Sequence, residues 1–383
     1  FKRFLLRNSG SDFLGLGYRD GFIHEHIIGQ GLHVDAGAYR PARVHINGDY
    51  WGIYNLREKY DRYYLEDNHG VDDKNLDLLE EQEGIVEGDF ETFNSMENFI
   101  LNNDLTTIAN YKVAKSYFDI ENLSDYYACQ TFVNNSDWPY NNLKYWREKK
   151  TGAKWRYIIF DLDVALGGVS FNPVDHDNLG RILGSYGNDN RHVQIFKSFL
   201  TNQEFKQYFI NRYNDLLNTT LSPSSLLESF EQTAETFETE ADRHFDRWNG
   251  SWQHYEEVFE TTVFHLTERA QFARDQLRNA FNIGPERTLS FGVFPEGAGT
   301  IELNTLTLSA FPWSGKYHSG NEISMTAIPN NGNEFSHWEL KGVQVSDETT
   351  RTLHLDPADN ADLVAVFDAT FLGMDLSLHP DPA

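Results

Sequence analysis

The order of hydrophobic and polar positions divides the chain into a β-rich opening, a helical middle and a β-rich end. In the opening, residues 43–47 and 51–57 alternate in polarity around the dipeptide Asn47–Gly48. This dipeptide favours the tight turn of a β-hairpin, because both residues tolerate positive φ angles. Together with a helix predicted at about 19–30, the hairpin indicates a β-rich first lobe over residues 1–65.

Helical spacing of apolar residues dominates at 90–133 and again at 192–280. Between these regions, the apolar run 155–160 predicts a buried strand that leads directly into Asp161 and Asp163. We therefore expect a β-rich lobe followed by a helical lobe. The second helical region contains three amphipathic stretches, at 194–213, 224–248 and 251–281.

The helical region ends at Gly284–Pro285, because glycine suits the left-handed cap of a helix and proline cannot continue one. Beyond this point the chain alternates with period two, which predicts a small all-β module. We predict a first domain at 1–284, a β domain at 285–370 and a tail at 371–383. The predicted strands of the module are 289–294, 299–303, 322–328, 335–340, 352–355 and 363–367.

The charge balance limits the partners of the chain. Its 383 residues include 32 Lys and Arg against 58 Asp and Glu, which gives a formal net charge of -26. Such a surface repels nucleic acid and anionic lipid, and no apolar run is long enough to span a bilayer. We expect no nucleic-acid partner and no membrane span, and the oligomeric state is left open.

The cysteine content and the start of the chain say little about its compartment. Cys129 is the only cysteine, which excludes an intrachain disulfide and a cysteine-based zinc site. Phe1 begins a segment that already has the pattern of folded sequence, so we expect any initiator methionine and signal peptide to lie upstream or to have been removed.

Two short motifs carry the candidate chemistry. Asp137 and Asn142 form an Asp-x-x-x-x-Asn segment, the spacing at which protein kinases place a catalytic Asp and a metal-binding Asn on one loop. Asp161 and Asp163 follow the predicted strand, and residues two apart in a strand point to the same side. Paired carboxylates favour a divalent cation, of which Mg²⁺ is the best match and Mn²⁺ or Ca²⁺ are alternatives.

With these motifs in this order, the chain resembles the CotH kinase family. The resemblance spans residues 1–280 and is carried by HINGDYWGIYNLREKYD at 45–61, by NNSDWPYNN at 134–142 with KYWRE after it, and by KWRYIIFDLDVALG at 154–167. It implies an α+β fold, with an atypical two-lobed kinase-like domain before the small all-β domain. It also implies binding of ATP with Mg²⁺ and phosphorylation of Ser in secreted spore-coat proteins, and hence a secreted or cell-surface location in a bacterium.

The resemblance assigns roles to five positions. Asp137 matches the family's catalytic Asp, and Asp161 matches its metal-binding Asp. Asp163 is expected as a second carboxylate and Asn142 as the metal ligand on the loop. Glu58 is expected to face the nucleotide, either as a metal contact or as the partner of a phosphate-binding base.

The phosphate-binding base has four candidates, Arg7, Arg57, Lys59 and Lys144. We favour Arg7 because it precedes Glu58, as a phosphate-binding base would. Arg in place of Lys would still bind phosphate well, since a guanidinium engages phosphate oxygens in pairs. The Gly-rich loop of ordinary kinases is missing, so phosphate binding is expected to differ from theirs.

The β-rich end resembles the divergent InlB-type B repeat of bacterial surface proteins. The similar segments are PEGAGTIEL at 295–303, SMTAIPNNGNEF at 324–335, the pair His337–Trp338 and LVAVF at 363–367. A small β-sandwich of another kind is the alternative.

Other readings of the chain remain open. The acidic run 79–91 is expected to be a solvated face, and 171–192 is either a substrate loop or a polar surface loop. For the whole protein, transfer of ATP's γ-phosphate to Ser or Thr of extracellular proteins or of itself is the first hypothesis. The alternatives are a kinase-fold enzyme that transfers AMP or an amino acid, and a non-catalytic surface interaction module.

Overall fold

The computed structural model describes residues 2–82, 84–168, 172–345 and 352–370. The chain divides into two compact units between Asn282 and Ile283, close to the boundary predicted after residue 284. The predicted tail, 371–383, lies outside the described residues. The first unit is α+β and the second is all-β, which confirms the predicted fold class.

The first unit alternates short strands with helices and ends in long helices. Its elements are β1 Phe4–Arg7, α1 Arg19–Gly29, β2 Tyr39–Ile46, β3 Asp49–Glu58, α2 Arg62–His69, β4 Leu76–Glu80, β5 Gly84–Glu87, α3 Glu91–Asn102, α4 Ile108–Tyr117, α5 Ile120–Phe132, β6 Lys144–Glu148, β7 Arg156–Ile158, α6 Asn178–Leu183, α7 Arg191–Leu200, α8 Gln203–Asn218, α9 Pro223–Trp248 and α10 Trp252–Phe281.

Two antiparallel sheets position the site. Strands β1, β3 and β2 form the first sheet in that order, and β5, β4, β6 and β7 form the second. The predicted hairpin at Asn47–Gly48 joins β2 to β3, with φ angles of 53° and 92° that these two residue types adopt at little cost. Arg7, the last residue of the edge strand β1, pairs with Asn55 on the central strand β3.

The long helices follow the predicted stretches with one exception. Helices α9 and α10 begin after the capping residues Ser222 and Ser251 and match the predictions. The stretch 194–213 is two helices, because the Asn202 side chain accepts hydrogen bonds from the Glu204 and Phe205 amides and starts α8 there. None of the helices in the described residues combines the length and the apolar character needed to cross a bilayer.

The strand before Asp161 is shorter than predicted. It ends at Ile158, and the amide of Leu162 donates to Asp20 Oδ1 at 2.9 Å instead of to a neighbouring strand. Asp161 therefore adopts a left-handed conformation with φ of 59°. The extended conformation that was expected to place Asp161 and Asp163 on one side is wrong, although both side chains still reach a common partner.

The second unit consists of two sheets around one apolar core. Ile301, Met325, Trp338 and Leu363, from both sheets, are fully buried in that core. Each predicted strand is present, and β10, β11 and β14 are additional, being short or weakly alternating. The strands are β8 Glu286–Phe294, β9 Gly299–Leu303, β10 Leu306–Leu308, β11 Trp313–His318, β12 Ile323–Pro329, β13 Asn333–Leu340, β14 Val343–Gln344, β15 Thr352–Leu355 and β16 Ala361–Ala369, in sheets ordered β10-β9-β12-β15 and β11-β8-β16-β13-β14.

Candidate active site

A cleft of about 500 Å³ in the first unit brings most of the predicted site residues together. Both sheets contribute to its walls, through β1 and β3 on one side and β4 and β6 on the other. Asp137 and Asp163 are the predicted residues that do not line it. The lining residues are Leu5, Arg7, Asp20, Arg57, Glu58, Lys59, Tyr60, Glu80, Gln82, Val86, Asn142, Lys144, Phe160 and Asp161.

Arg7 lies between carboxylates at the end of β1. Its Nη2 forms an ion pair with Asp161 Oδ1 and lies 3.5 Å from Asp163 Oδ2, while its Nη1 lies 3.6 Å from Asp20 Oδ2. Burial alone would lower the pKa of Arg7, but the charges of Asp20 and Asp161 raise it. The guanidinium is thus a fixed positive charge at one end of the cleft.

Asp20 is a site residue that the sequence analysis missed. It lies in the first turn of α1, is buried, and forms ion pairs with Arg57 and Arg7 while accepting the Leu162 amide. Burial alone would raise the pKa of Asp20, but Arg57 and then His24 hold it well below its usual range. Asp20 therefore joins the two arginines to the segment that carries Asp161.

The pair of Arg7 and Asp20 has the arrangement of a kinase ion pair. In kinases, a base on a strand binds phosphate and pairs with an acid on the following helix. Here β1 supplies Arg7, and α1, the next α-helix, supplies Asp20. Besides Asp161 and Asp163, the acid that pairs with Arg7 is Asp20. The Glu58 carboxylate instead accepts hydrogen bonds from the Ala38 amide at 2.9 Å and from Asn68 Nδ2 at 3.2 Å.

Asp163 lies behind Arg7, with a side chain that is only 9% exposed. The Ser11 amide donates to its Oδ2 at 2.6 Å, and a Cβ at Gly10 would collide with the same oxygen. Burial and the charge of Asp161 raise the pKa of Asp163 to about 6, against the opposing effects of Ser11 and Arg7. Asp163 thus supports Arg7 and the segment after β1, and its role as a second metal ligand stays a prediction.

The loop from Asp137 to Asn142 is fixed at both ends. The Asn141 amide donates to the Asp137 carbonyl at 3.0 Å, and the buried Trp138 donates through Nε1 to Tyr126 OH at 3.0 Å. Asn142 has φ of 62° and donates through Nδ2 to the Asp161 carbonyl at 3.2 Å. Asn142 therefore lies beside Asp161 in the cleft, while Asp137 is exposed to solvent on the same loop.

The other candidates for the phosphate-binding base, Arg57, Lys59 and Lys144, differ in their burial and ion pairing. Arg57 is buried and paired with Asp20. Burial lowers the pKa of Arg57, but Asp20 and Tyr60 together raise it above its usual value. Lys59 is exposed at the cleft. Lys144 Nζ lies 2.8 Å from Glu80 Oε2, and both side chains are nearly buried.

The acidic run 79–91 is a solvated face only in part. Glu80 ends strand β4 inside the first unit, and Glu81 Oε2 lies 3.2 Å from Nε2 of the buried His192. The expectation is wrong at Glu80, which is buried and paired with Lys144 of another strand. Glu81 is exposed as expected, although it contacts His192. A run of acids in sequence does not reveal which of them will be paired after folding.

The oxygen donors at Asp161 and Asn142 fit a metal ion that is held together with phosphates. Within the described ranges, no group of three or more His, Cys, Asp or Glu side chains is arranged to hold a metal. Mg²⁺ commonly binds through one or two carboxylates and takes its other ligands from substrate phosphates and water. The site therefore suits a metal ion that is coordinated jointly by the protein and the substrate phosphates. The described residues do not form a complete metal site by themselves.

The fold and the site define a kinase-like class of protein: an α+β domain with a base–acid pair, an Asp–Asn loop and a following acidic segment. The family model described as "CotH kinase protein" matches residues 1–273, and the chain belongs to this family. A second model, described as "Divergent InlB B-repeat domain", matches residues 293–371. Both matches confirm the resemblances stated above. No curated protein matches the chain significantly.

Proposed function

We propose that the first unit transfers the γ-phosphate of ATP to Ser or Thr hydroxyls of an extracellular or surface protein, or of itself. The observation that supports this most is the meeting of Arg7, Asp20, Asn142 and Asp161 at one cleft, beside the loop that carries Asp137. These groups have the types and order that phosphoryl transfer requires.

Arg7 is the phosphate-binding group in this proposal. Its guanidinium can engage two phosphate oxygens at once, and Asp20 keeps it oriented from the side of α1. Asp161 and Asn142 would hold Mg²⁺ against the phosphates. When bound, that ion neutralises charge on the phosphate oxygens as it develops.

Asp137 acts on the acceptor hydroxyl. Because its side chain is exposed, a hydroxyl from another protein can reach it. The hydroxyl oxygen forms a bond to the γ-phosphorus, the bond from that phosphorus to the ADP oxygen breaks, and the hydroxyl proton passes to the Asp137 carboxylate. Holding the hydroxyl in line with the phosphate is the larger part of this contribution.

The location and the partner are also part of the proposal. The repeat-type second unit supports a role outside the cell or at the surface of a bacterium. The protein substrate would then be a secreted or surface protein.

The test is intact-mass measurement after incubation with ATP and Mg²⁺, with a panel of Ser- and Thr-containing proteins present. We expect a gain of phosphate, lost in Asp161→Asn, a variant that keeps a residue suited to the left-handed backbone. Asp246→Asn, which changes an exposed acid on α9, is the matched control and should behave as wild type.

Other outcomes would redirect the proposal. A gain of AMP or of an amino acid would support a different transferred group on the same scaffold. Intact ATP binding without any incorporation would contradict transfer. Absence of metal-dependent ATP binding in calorimetry would favour a non-catalytic interaction module.

A further inference from the structure

A nearly buried ion pair in the cleft has no place in the proposed transfer. Lys144 Nζ lies 2.8 Å from Glu80 Oε2, and the two side chains are 11% and 9% exposed. The residues face each other directly across strands β6 and β4. Both line the same cleft as Arg7 and Asp161.

Stability alone is a poor reason for such a pair. Removing two charges from water costs about as much as their attraction returns, so apolar side chains of similar volume would serve as well. The ammonium group has three N–H donors, and the contacts described for it are one carboxylate oxygen and the faces of two rings. The pair therefore keeps donor and acceptor capacity for a bound molecule.

The pair lies next to the phosphate end of the cleft. Strands β6 and β7 are antiparallel, with Lys144 opposite Ile158. From this pair of residues, the segment before β6 leads to Asn142 and the segment after β7 leads to Asp161, toward the same end of the sheet. A ligand whose phosphates contact Asn142 and Asp161 can therefore extend inward to Lys144.

Two aromatic rings lie beside the ammonium group of the pair. Lys144 Nζ lies 4.6 Å from the ring centre of Phe160 and 5.7 Å from that of Tyr60. Leu5 and Val86 line the same cleft. Aromatic and apolar walls accept the face of a planar ring, and a charged pair at the edge supplies one donor and one acceptor.

We propose that Lys144 and Glu80 determine specificity for the nucleobase, an inference that rests on the function proposed above. Glu80 accepts a hydrogen bond from an exocyclic amino group, and Lys144 donates to a ring nitrogen of the same base. The ligand class is an aminopurine nucleoside triphosphate. Arg7, in contrast, binds phosphates whatever base is attached.

The test is calorimetry of the full chain with Mg²⁺ and three ligands: ATP, purine riboside triphosphate, which lacks the amino group, and inorganic tripolyphosphate. Wild type should bind ATP more tightly than the riboside by about tenfold or more, since a hydrogen bond to a charged group is lost. The double variant Glu80→Leu with Lys144→Met should bind ATP no better than the riboside. Its affinity for tripolyphosphate should equal that of wild type.

Each other outcome has a clear meaning. Equal binding of ATP and the riboside by wild type overturns the inference, and this comparison does not depend on whether any variant folds. A double variant that folds but loses tripolyphosphate binding to the same extent as ATP binding shows that the pair serves phosphates, which also overturns it. Failure of wild type to bind any of the three ligands overturns the proposed function itself.

Discussion

Asp20→Asn removes one charge from the centre of the site while it keeps the shape of the side chain. Asn can still accept the Leu162 amide, so the segment before Asp163 keeps one of its anchors. The loss falls on Arg57, which is 6% exposed and would be left as a buried cation without its carboxylate. Removing one partner of a buried ion pair costs about 3–5 kcal/mol of folding free energy. Because the hydrogen bond from the Leu162 amide is retained, we expect a loss of about 3 kcal/mol.

Hydrogen exchange on peptides from α1 and β3 reports this free energy for the first unit alone. The stabilisation that the Asp20 carboxylate provides should decrease as the pH falls. Because Arg57 and His24 hold the folded pKa of Asp20 low despite its burial, the stabilisation is full above the unfolded pKa of about 3.9 and is lost as the pH falls toward the folded value. A loss below about 1 kcal/mol at neutral pH would refute the central role of Asp20, because that is the size of an exposed ion pair.

Three further predictions concern the groups around Arg7. Arg7→Gln should weaken tripolyphosphate binding in calorimetry by about tenfold or more, and unchanged binding would contradict its role. Gly10→Ala should lower the free energy of unfolding in urea by at least about 1 kcal/mol, because the φ angle of Gly10 is 56° and the Asp163 carboxylate blocks a Cβ there. Gly29→Ala is the control and should not destabilise the protein, because the space around Gly29 is open. In carbon-detected NMR of the metal-free protein, Asp163 should titrate near pH 6. In the Asp161→Asn variant the pKa of Asp163 should fall, because the neighbouring like charge is gone. An unchanged pKa would show that burial alone raises the pKa of Asp163.

The parts of the site that could be predicted lie close together in sequence. The Asp137–Asn142 spacing and the Asp161–Asp163 pair are local patterns, and the order of the two motifs pointed to a cleft. Asn142 and Asp161 do meet there. The preference for Arg7 came from its place before Glu58, and the structure puts it among the acids of the site.

The parts that could not be predicted depend on contacts between distant segments. Asp20 and Arg57 are 37 residues apart, and no periodic pattern links them. Glu80 belongs to an acidic run that is typical of a solvated surface, and only the pairing of β4 with β6 brings it to Lys144. The early end of β7 has the same origin, because its partner β6 begins at Lys144, opposite Ile158, and the Leu162 amide further on is bound by Asp20 from another element.

A crystal structure with a non-hydrolysable ATP analogue and Mg²⁺ tests the central claim most directly. We predict the terminal phosphates at Arg7, the metal ion at Asp161 and Asn142, and the γ-phosphate open to the side where Asp137 is exposed. An analogue bound outside the cleft, or one bound with its phosphates away from Arg7 and Asp161, would contradict the account.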